Sequence, residues 1–297
     1  MEKIDIIFLG TGSSIPTKER NHSAILVHYK EHNILVDCGE GAQRQFRYLD
    51  LSPTKISKIL ISHWHGDHFL GLPALFQTLT MSNYNKTLEL YSPENTSKQV
   101  ELIKKLVNFD LDLKTKDASG IFFKDKEFHI EAMRMKHGCH TNAYSIVFED
   151  KVRLDKKKIK GLGLPNTPLL QKLQQGKNII YEGKKIKARD VSYIEKGRKL
   201  TFIFDTAINE NAVKIAKNSD VLVIEASFSS EEKEKALEYM HLTAGQAATI
   251  AKKARVKKLV LTHLSQRYSK SEHIILNEAK KIFKNTLIAK DLESITI

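Results

Sequence analysis

Three imidazoles and a carboxylate fall within six residues, His63-Trp64-His65-Gly66-Asp67-His68. The apolar segment Lys58-Ile59-Leu60-Ile61 runs into this stretch and reads as the end of a buried strand. A strand followed by a glycine-containing turn holds alternate side chains in one direction, then folds the next two back. Imidazole suits zinc, and a carboxylate binds a second cation or accepts a proton. The ordinary alternative is a surface turn rich in histidine. With only 12 histidines in 297 residues, three in six positions favour a metal site.

Several later strands also end in a candidate ligand. Met135-Lys136-His137-Gly138-Cys139-His140 closes one; His137 and His140 compete there, and either could be an ordinary surface histidine. Cys139 could be a soft ligand, although a small buried thiol is its commoner role. Leu200 to Asp205, Asp220 to Glu225 and Lys257 to His263 each run apolar into a titratable residue. One such ending is explained by a capped turn. Several together point to a site at one rim of a sheet.

The alternation of strands with helices makes the chain α/β. Strands are expected over Ile4–Leu9, Ser23–Tyr29, Ile34–Cys38, Leu88–Tyr91 and Phe128–Met133, with helices at Ala42–Leu49, Ala74–Met81 and Glu94–Val107. The turn Gly10-Thr11-Gly12-Ser13-Ser14 lacks both the third glycine of a dinucleotide fingerprint and the Gly-Lys-Ser/Thr of a P-loop, so it reads as a tight turn. No run of about 18 apolar residues predicts a membrane span. The opening Met1 to Asp5 lacks a signal peptide's basic start and apolar core. Two cysteines, Cys38 and Cys139, are too few for a disulfide framework, and a reducing cytoplasm is the simplest compartment.

The formal charge is +13, and it is concentrated. Lys151 to Lys199 holds 15 basic and 4 acidic residues, a balance of +11, which leaves +2 for the rest. The segment has the composition of an insertion: a loop at Gly161–Pro168, a short helix at Leu169–Gln175, and a hairpin from Asn178–Tyr181 and Lys185–Val191. A charge run is often only a solvated face. One this concentrated suggests a polyanionic partner, nucleic acid first.

His63-Trp64-His65-Gly66-Asp67-His68 resembles the HxHxDH signature of the metallo-β-lactamase superfamily. That resemblance implies a four-layer αββα sandwich, a single domain over residues 1–297, with a two-metal site at one edge of the sheets. On the family pattern His63, His65, His137 and Asp205 hold one zinc ion. Asp67, His68, Asp205 and His263 hold the other, with Asp205 bridging. His137 fits the family spacing because Tyr144 follows it by seven residues. Two cations about 3.5–4 Å apart generate a nucleophile from water and neutralise charge on a phosphoryl group.

Phe8-Leu9-Gly10-Thr11-Gly12, Pro16-Thr17-Lys18-Glu19-Arg20-Asn21, Val36-Asp37-Cys38-Gly39-Glu40-Gly41 and Leu261-Thr262-His263-Leu264-Ser265-Gln266-Arg267-Tyr268 narrow the resemblance to the ribonuclease Z family. It implies a cytoplasmic endonuclease that removes the 3′ trailer from precursor tRNA and leaves a 3′-hydroxyl. It also implies two Zn²⁺ per subunit and a homodimer. Glu225 and His241 would act near the leaving group, Asp67 would manage the nucleophile's proton, and Lys18, Arg20 and Arg267 would contact substrate. The basic segment, 151–199, sits where the family carries an inserted tRNA-binding arm, though the usual Gly-Pro-rich sequence is replaced by Gly161 to Pro168. The alternatives are a metallo-phosphodiesterase for small phosphodiesters, which leaves the arm without a purpose, and an RNA-binding protein with a vestigial site.

Overall fold

Short apolar runs recur along the chain, and in the computed structural model, which describes residues 2–297, these runs build two seven-stranded sheets. Both lie mainly in the larger of two compact units, formed by Glu2–Lys124, His129–Ile146 and Lys199–Ile297. The first sheet has the order Ser294–Thr296, Asp5–Gly10, Ala24–Tyr29, His32–Val36, Lys58–Leu60, Leu88–Ser92, Leu113–Asp117. The second runs Thr286–Ile288, Lys258–Thr262, Val221–Glu225, Lys199–Ile203, Asn142–Phe148, Phe128–Arg134, Gly120–Lys124.

Each sheet is covered by helices on one face. Leu9, Leu26, Leu35, Ile59 and Leu90 of the first pack with Phe46, Leu75, Phe76 and Ile103 from the helices Ala42–Tyr48, Leu72–Met81 and Thr96–Leu106. Ile203, Leu222, Ile224, Leu259 and Leu261 of the second pack with Ile215, Ala247, Ala251 and Ile275 from Glu210–Ala216, Ala244–Ala254 and Glu272–Ile282. The opposite faces are also apolar and buried, and the two sheets meet there. The Tyr91 ring packs at a tilt against Phe122 with centroids 4.7 Å apart, and the Tyr144 hydroxyl donates to the Ile61 carbonyl at 2.7 Å. This is the expected αββα sandwich. Burial on both faces explains why the central strands read as continuous apolar runs.

The parallel strands place their C-terminal ends along common rims. His32–Val36, Lys58–Leu60 and Leu88–Ser92 are mutually parallel, as are Lys199–Ile203, Val221–Glu225 and Lys258–Thr262. Asp37 and His63 therefore follow strands of one sheet, while Asp205, Glu225 and His263 end or follow strands of the other.

The smaller unit, Asp125–Phe128 with Val147–Arg198, contains nearly all of the basic segment. Lys151–Leu154 pairs antiparallel with Ser192–Glu195, a stalk that the alternation did not reveal. Beyond it stand helices at Lys156–Gly161 and Pro168–Gln174 and a hairpin of Ile179–Tyr181 with Lys184–Ile186. The expected second strand, Lys185–Val191, ends early: Ala188–Val191 is helical. Ile159, Leu164, Leu173, Ile179, Ile186 and Val191 give this unit its own small core. Among the described residues no helix is long and apolar enough to cross a membrane.

Candidate active site

The His63–His68 stretch turns because the backbone closes tightly on itself. Residues Gly66–Phe69 form one helical turn, which brings His68 back beside His63 with ring centroids 4.2 Å apart. The turn docks on Asp37-Cys38-Gly39: the Cys38 amide donates to the His68 carbonyl, and the Gly71 amide to the Cys38 carbonyl. A Cβ on Gly39 would meet the Asp67 carbonyl oxygen at 2.5 Å, and one on Gly71 the Gly39 carbonyl oxygen at 2.2 Å. Only glycine permits this approach.

Asp205, 3% exposed, stands at the centre with one oxygen turned each way. Its Oδ2 lies 3.5 Å from His63 Nε2 and 3.7 Å from His137 Nε2. Its Oδ1 lies 3.2 Å from His263 Nε2 and 3.5 Å from His68 Nε2. Asp67 Oδ2 completes the second group, 3.3 Å from both His68 and His263. His65 joins the first, with its Nδ1 3.3 Å from His137 Nε2. The structure thus brings together all seven residues expected as ligands, with His63, His65 and His137 grouped beside Cys139, and Asp67, His68 and His263 grouped with Asp205. His140 lies apart, against the Glu94 carboxylate at 2.6 Å.

The donor set suits a cation. The buried atoms His63 Nε2, His68 Nε2 and Asp205 Oδ1 have no hydrogen-bond partner. Leaving such an atom unsatisfied costs about 1–3 kcal/mol, so three converging here mark a place shaped for something they can all coordinate. Burial, the largest influence, holds His63 well below and His137 below the ordinary imidazole range. Both are neutral at neutral pH, the form that binds a metal. Burial works against ionisation of Asp67 and Asp205, but the surrounding imidazoles outweigh it and keep both carboxylates ionised.

Four of the rings are pinned at Nδ1, which leaves Nε2 facing inward. His68 Nδ1 donates to Asp37 Oδ2 at 2.6 Å, and His137 Nδ1 to the Met240 carbonyl at 3.2 Å. His63 Nδ1 is 3.0 Å from Ser62 Oγ, and His263 Nδ1 is 3.0 Å from Ser227 Oγ. Partners of this kind fix ring tautomer and aim. Sequence reasoning assigned no role to Asp37, Ser62 or Ser227. The signal for Asp37 was available, since it too is a carboxylate at a strand end.

Glu225 and His241 are hydrogen-bonded to each other. His241 Nδ1 lies 3.0 Å from Glu225 Oε2, and Glu225 is fully buried and also accepts from the Thr206 amide and the Ser227 hydroxyl, each at 2.7 Å. Burial disfavours the charged imidazole of His241, but the Glu225 and Asp205 carboxylates outweigh it and raise the group to about 9. A capping box of Thr243 and Gln246 starts the helix two residues after His241 and anchors its approach.

His65, Asp67, His137, Asp205, His241 and His263 open into a cleft of about 650 Å³. Arg267 lines it too, packed over the Phe228 ring at 4.9 Å and paired with Glu232. Lys18 is exposed and lines a separate cleft with Arg44 and Tyr48. Arg20 is placed differently from the expectation of a substrate contact. It is 4% exposed, and its guanidinium is committed to Glu272, Thr11 and the Ala289 carbonyl. It braces the loop on which Lys18 rides.

Fold and site together define a metal-dependent hydrolase of the metallo-β-lactamase type. A family model described as anti-Pycsar protein Apyc1 matches residues 4–158. Similarity along the whole chain is to ribonuclease Z. The protein of that name from Methanosarcina mazei is 36% identical over 297 residues, spanning 98% of this chain and 97% of its own. That from Archaeoglobus fulgidus is 38% identical over 305 residues, with 98% and 97% covered. The crystal structure of human tRNase Z, short form, superposes with a TM-score of 0.70 at 25% identity over 98% of each chain. The chain belongs to the ribonuclease Z family.

Proposed function

We propose that the chain is the endoribonuclease that cleaves the 3′ trailer from precursor tRNA and leaves a 3′-hydroxyl on the tRNA. The observation that carries the catalytic part is Asp205, whose two oxygens face two separate donor groups 3.2–3.7 Å away. His63, His65, His137 and Asp205 would hold one Zn²⁺, and Asp67, His68, Asp205 and His263 the other. Two such cations lower the pKa of water and neutralise phosphoryl charge.

The chain's own residues do the rest. Asp67, ionised and beside both His68 and His263, takes the proton that water gives up on attacking phosphorus. The bond from phosphorus to the 3′-oxygen then breaks, and that oxygen needs a proton. His241 delivers it from Nε2, since its Nδ1 is held by Glu225. A group raised to about 9 carries its proton at neutral pH. Arg267, on the rim of the same cleft, offers the phosphate backbone a guanidinium, and Lys18 offers an ammonium from the neighbouring cleft. Residues 151–199 act as a tRNA-binding arm whose lysines contact phosphates and position the RNA without reading its sequence. Shape and the 3′ end select the substrate. The reading includes a homodimer acting in the cytoplasm.

The test is incubation of the purified protein with precursor tRNA and Zn²⁺, followed by mapping of both new ends. A 3′-hydroxyl at the tRNA end and a 5′-phosphate on the trailer are expected. Binding without cleavage, or hydrolysis of small phosphodiesters alone, overturns the proposal.

A further inference from the structure

Cys139 is the one donor in the site that the mechanism does not use. Its Sγ belongs to a group with the ligand atoms of His63, His65 and His137, and all four atoms lie within 4.8 Å of one another. The thiol is half-buried and has a hydrogen-bond contact with Thr141 Oγ1 at 3.8 Å. That contact is weak, because the Thr141 hydroxyl donates instead to the Cys139 carbonyl at 3.3 Å. Nothing nearby commits the sulfur.

The second observation comes from the histidines. His63 is fully buried, and its Nε2 has no hydrogen-bond partner. Its Nδ1 is taken by Ser62, so the free lone pair belongs to the group that contains the sulfur. His137 likewise spends Nδ1 on Met240 and turns Nε2 inward. One ring nitrogen from each of three imidazoles and the sulfur are thus grouped within 4.8 Å of one another. Imidazole and carboxylate alone accept a broad range of divalent cations. Thiolate is soft and favours Zn²⁺, Co²⁺ or Cd²⁺ over Mn²⁺ or Mg²⁺.

We propose that Cys139 is a further ligand of the first cation position, beside His63, His65, His137 and Asp205, and makes that position selective for thiophilic metals. Binding converts the thiol to thiolate and releases its proton to solvent. The inference rests on the metal centre proposed above. It gives the two positions different chemistry: one with a sulfur donor, the other, from Asp67, His68, Asp205 and His263, with nitrogen and oxygen only.

Cobalt is the probe. The Co²⁺-loaded protein should show visible bands from imidazole ligation and, in addition, a thiolate-to-cobalt charge-transfer band in the near ultraviolet. Cys139→Ser should lose the second band and keep the first; Cys38 is present in both proteins and is the internal control. Zn²⁺ affinity at one of the two positions should fall about tenfold or more in the variant, since removal of a direct ligand costs at least what removal of its hydrogen-bonding support does. Mn²⁺ affinity should be unchanged. Visible bands without the charge-transfer band in the native protein, or its survival in Cys139→Ser, overturn the proposal and leave the metal centre standing. Failure to bind cobalt at all overturns both. If the variant does not fold, the native protein still decides: Zn²⁺ should protect Cys139 from alkylation and Mg²⁺ should not, and equal labelling refutes the ligand role.

Discussion

Replacing Asp37 by Asn should weaken metal binding at one position more than at the other. Asp37 is fully buried and accepts three hydrogen bonds: from the Ser62 amide at 2.6 Å, the Ser62 hydroxyl at 2.8 Å and His68 Nδ1 at 2.6 Å. Asparagine keeps the shape but replaces one acceptor oxygen with a donor. If the amide nitrogen faces His68, the ring must switch tautomer, and Nε2 then carries the hydrogen where it should offer a lone pair. If the amide nitrogen faces Ser62, two donors oppose each other instead. Removing hydrogen-bonding support of this kind costs about 10–100-fold in metal affinity or activity. At 1.4 kcal/mol per factor of ten, that is about 1.4–2.8 kcal/mol. The loss should fall mainly on the position formed by Asp67, His68, Asp205 and His263, because Asp37 bonds His68 directly and reaches His63 only through the Ser62 hydroxyl. Zn²⁺ titration against a competing chelator should therefore resolve two sites weakened to different extents, and trailer cleavage should recover as Zn²⁺ is raised. Native affinity at both sites, or equal weakening of both, would refute the reasoning.

Asp67→Ala should abolish trailer cleavage while precursor tRNA binding, measured by filter retention, stays largely intact; full cleavage would sink the proposed handling of the nucleophile's proton. His241→Ala should lower kcat by about 10²–10⁴-fold without changing metal content, and added imidazole should restore part of the rate. An unchanged kcat removes His241 from the reaction. Leu154 and Ser192 are paired neighbours in the stalk, so an Asn-Gly turn can replace residues 155–191 and remove ten basic and three acidic residues. Binding of precursor tRNA should weaken and its dependence on salt should flatten, by about 0.7–0.9 in slope for each phosphate that the arm no longer neutralises. Hydrolysis of a small phosphodiester should continue, and equal loss of both activities counts against the arm.

The candidate metal ligands were legible because most of them sit at or follow the end of an apolar run, and the run itself predicts a buried strand. Features set by distant partners were not legible. Arg20 belongs to a polar loop, and nothing local shows that Glu272 and the Ala289 carbonyl will draw it inside. The strand Leu113–Asp117 was missed because Leu-Lys-Thr-Lys-Asp is the charged, half-exposed pattern of a sheet edge, which resembles a loop. In the arm, Glu182 and Gly183 adopt positive φ values of 47° and 73°, the turn that a two-residue hairpin needs. The hairpin was therefore anticipated, but its strands are only three residues long, too short for alternation to locate their ends.

The same limit explains why ligand direction was harder to read than ligand identity. Period-two alternation says which way a side chain points only while the strand continues. Asp37 and His263 lie one residue beyond their strands, and both have left-handed backbone, with φ of 57° and 55°. Neither is glycine, so each conformation is uphill and must be held by its surroundings. Those surroundings are the site itself: Asp37 is held by Ser62 and His68, and His263 by Ser227 together with the carboxylates of Asp67 and Asp205. The backbone departs from the strand in order to aim these two groups, and the bonds they make at the site hold it there. Removing one partner therefore relaxes geometry as well as deleting a hydrogen bond, which is why Asp37→Asn is expected to act through His68 at the metal and not only through stability.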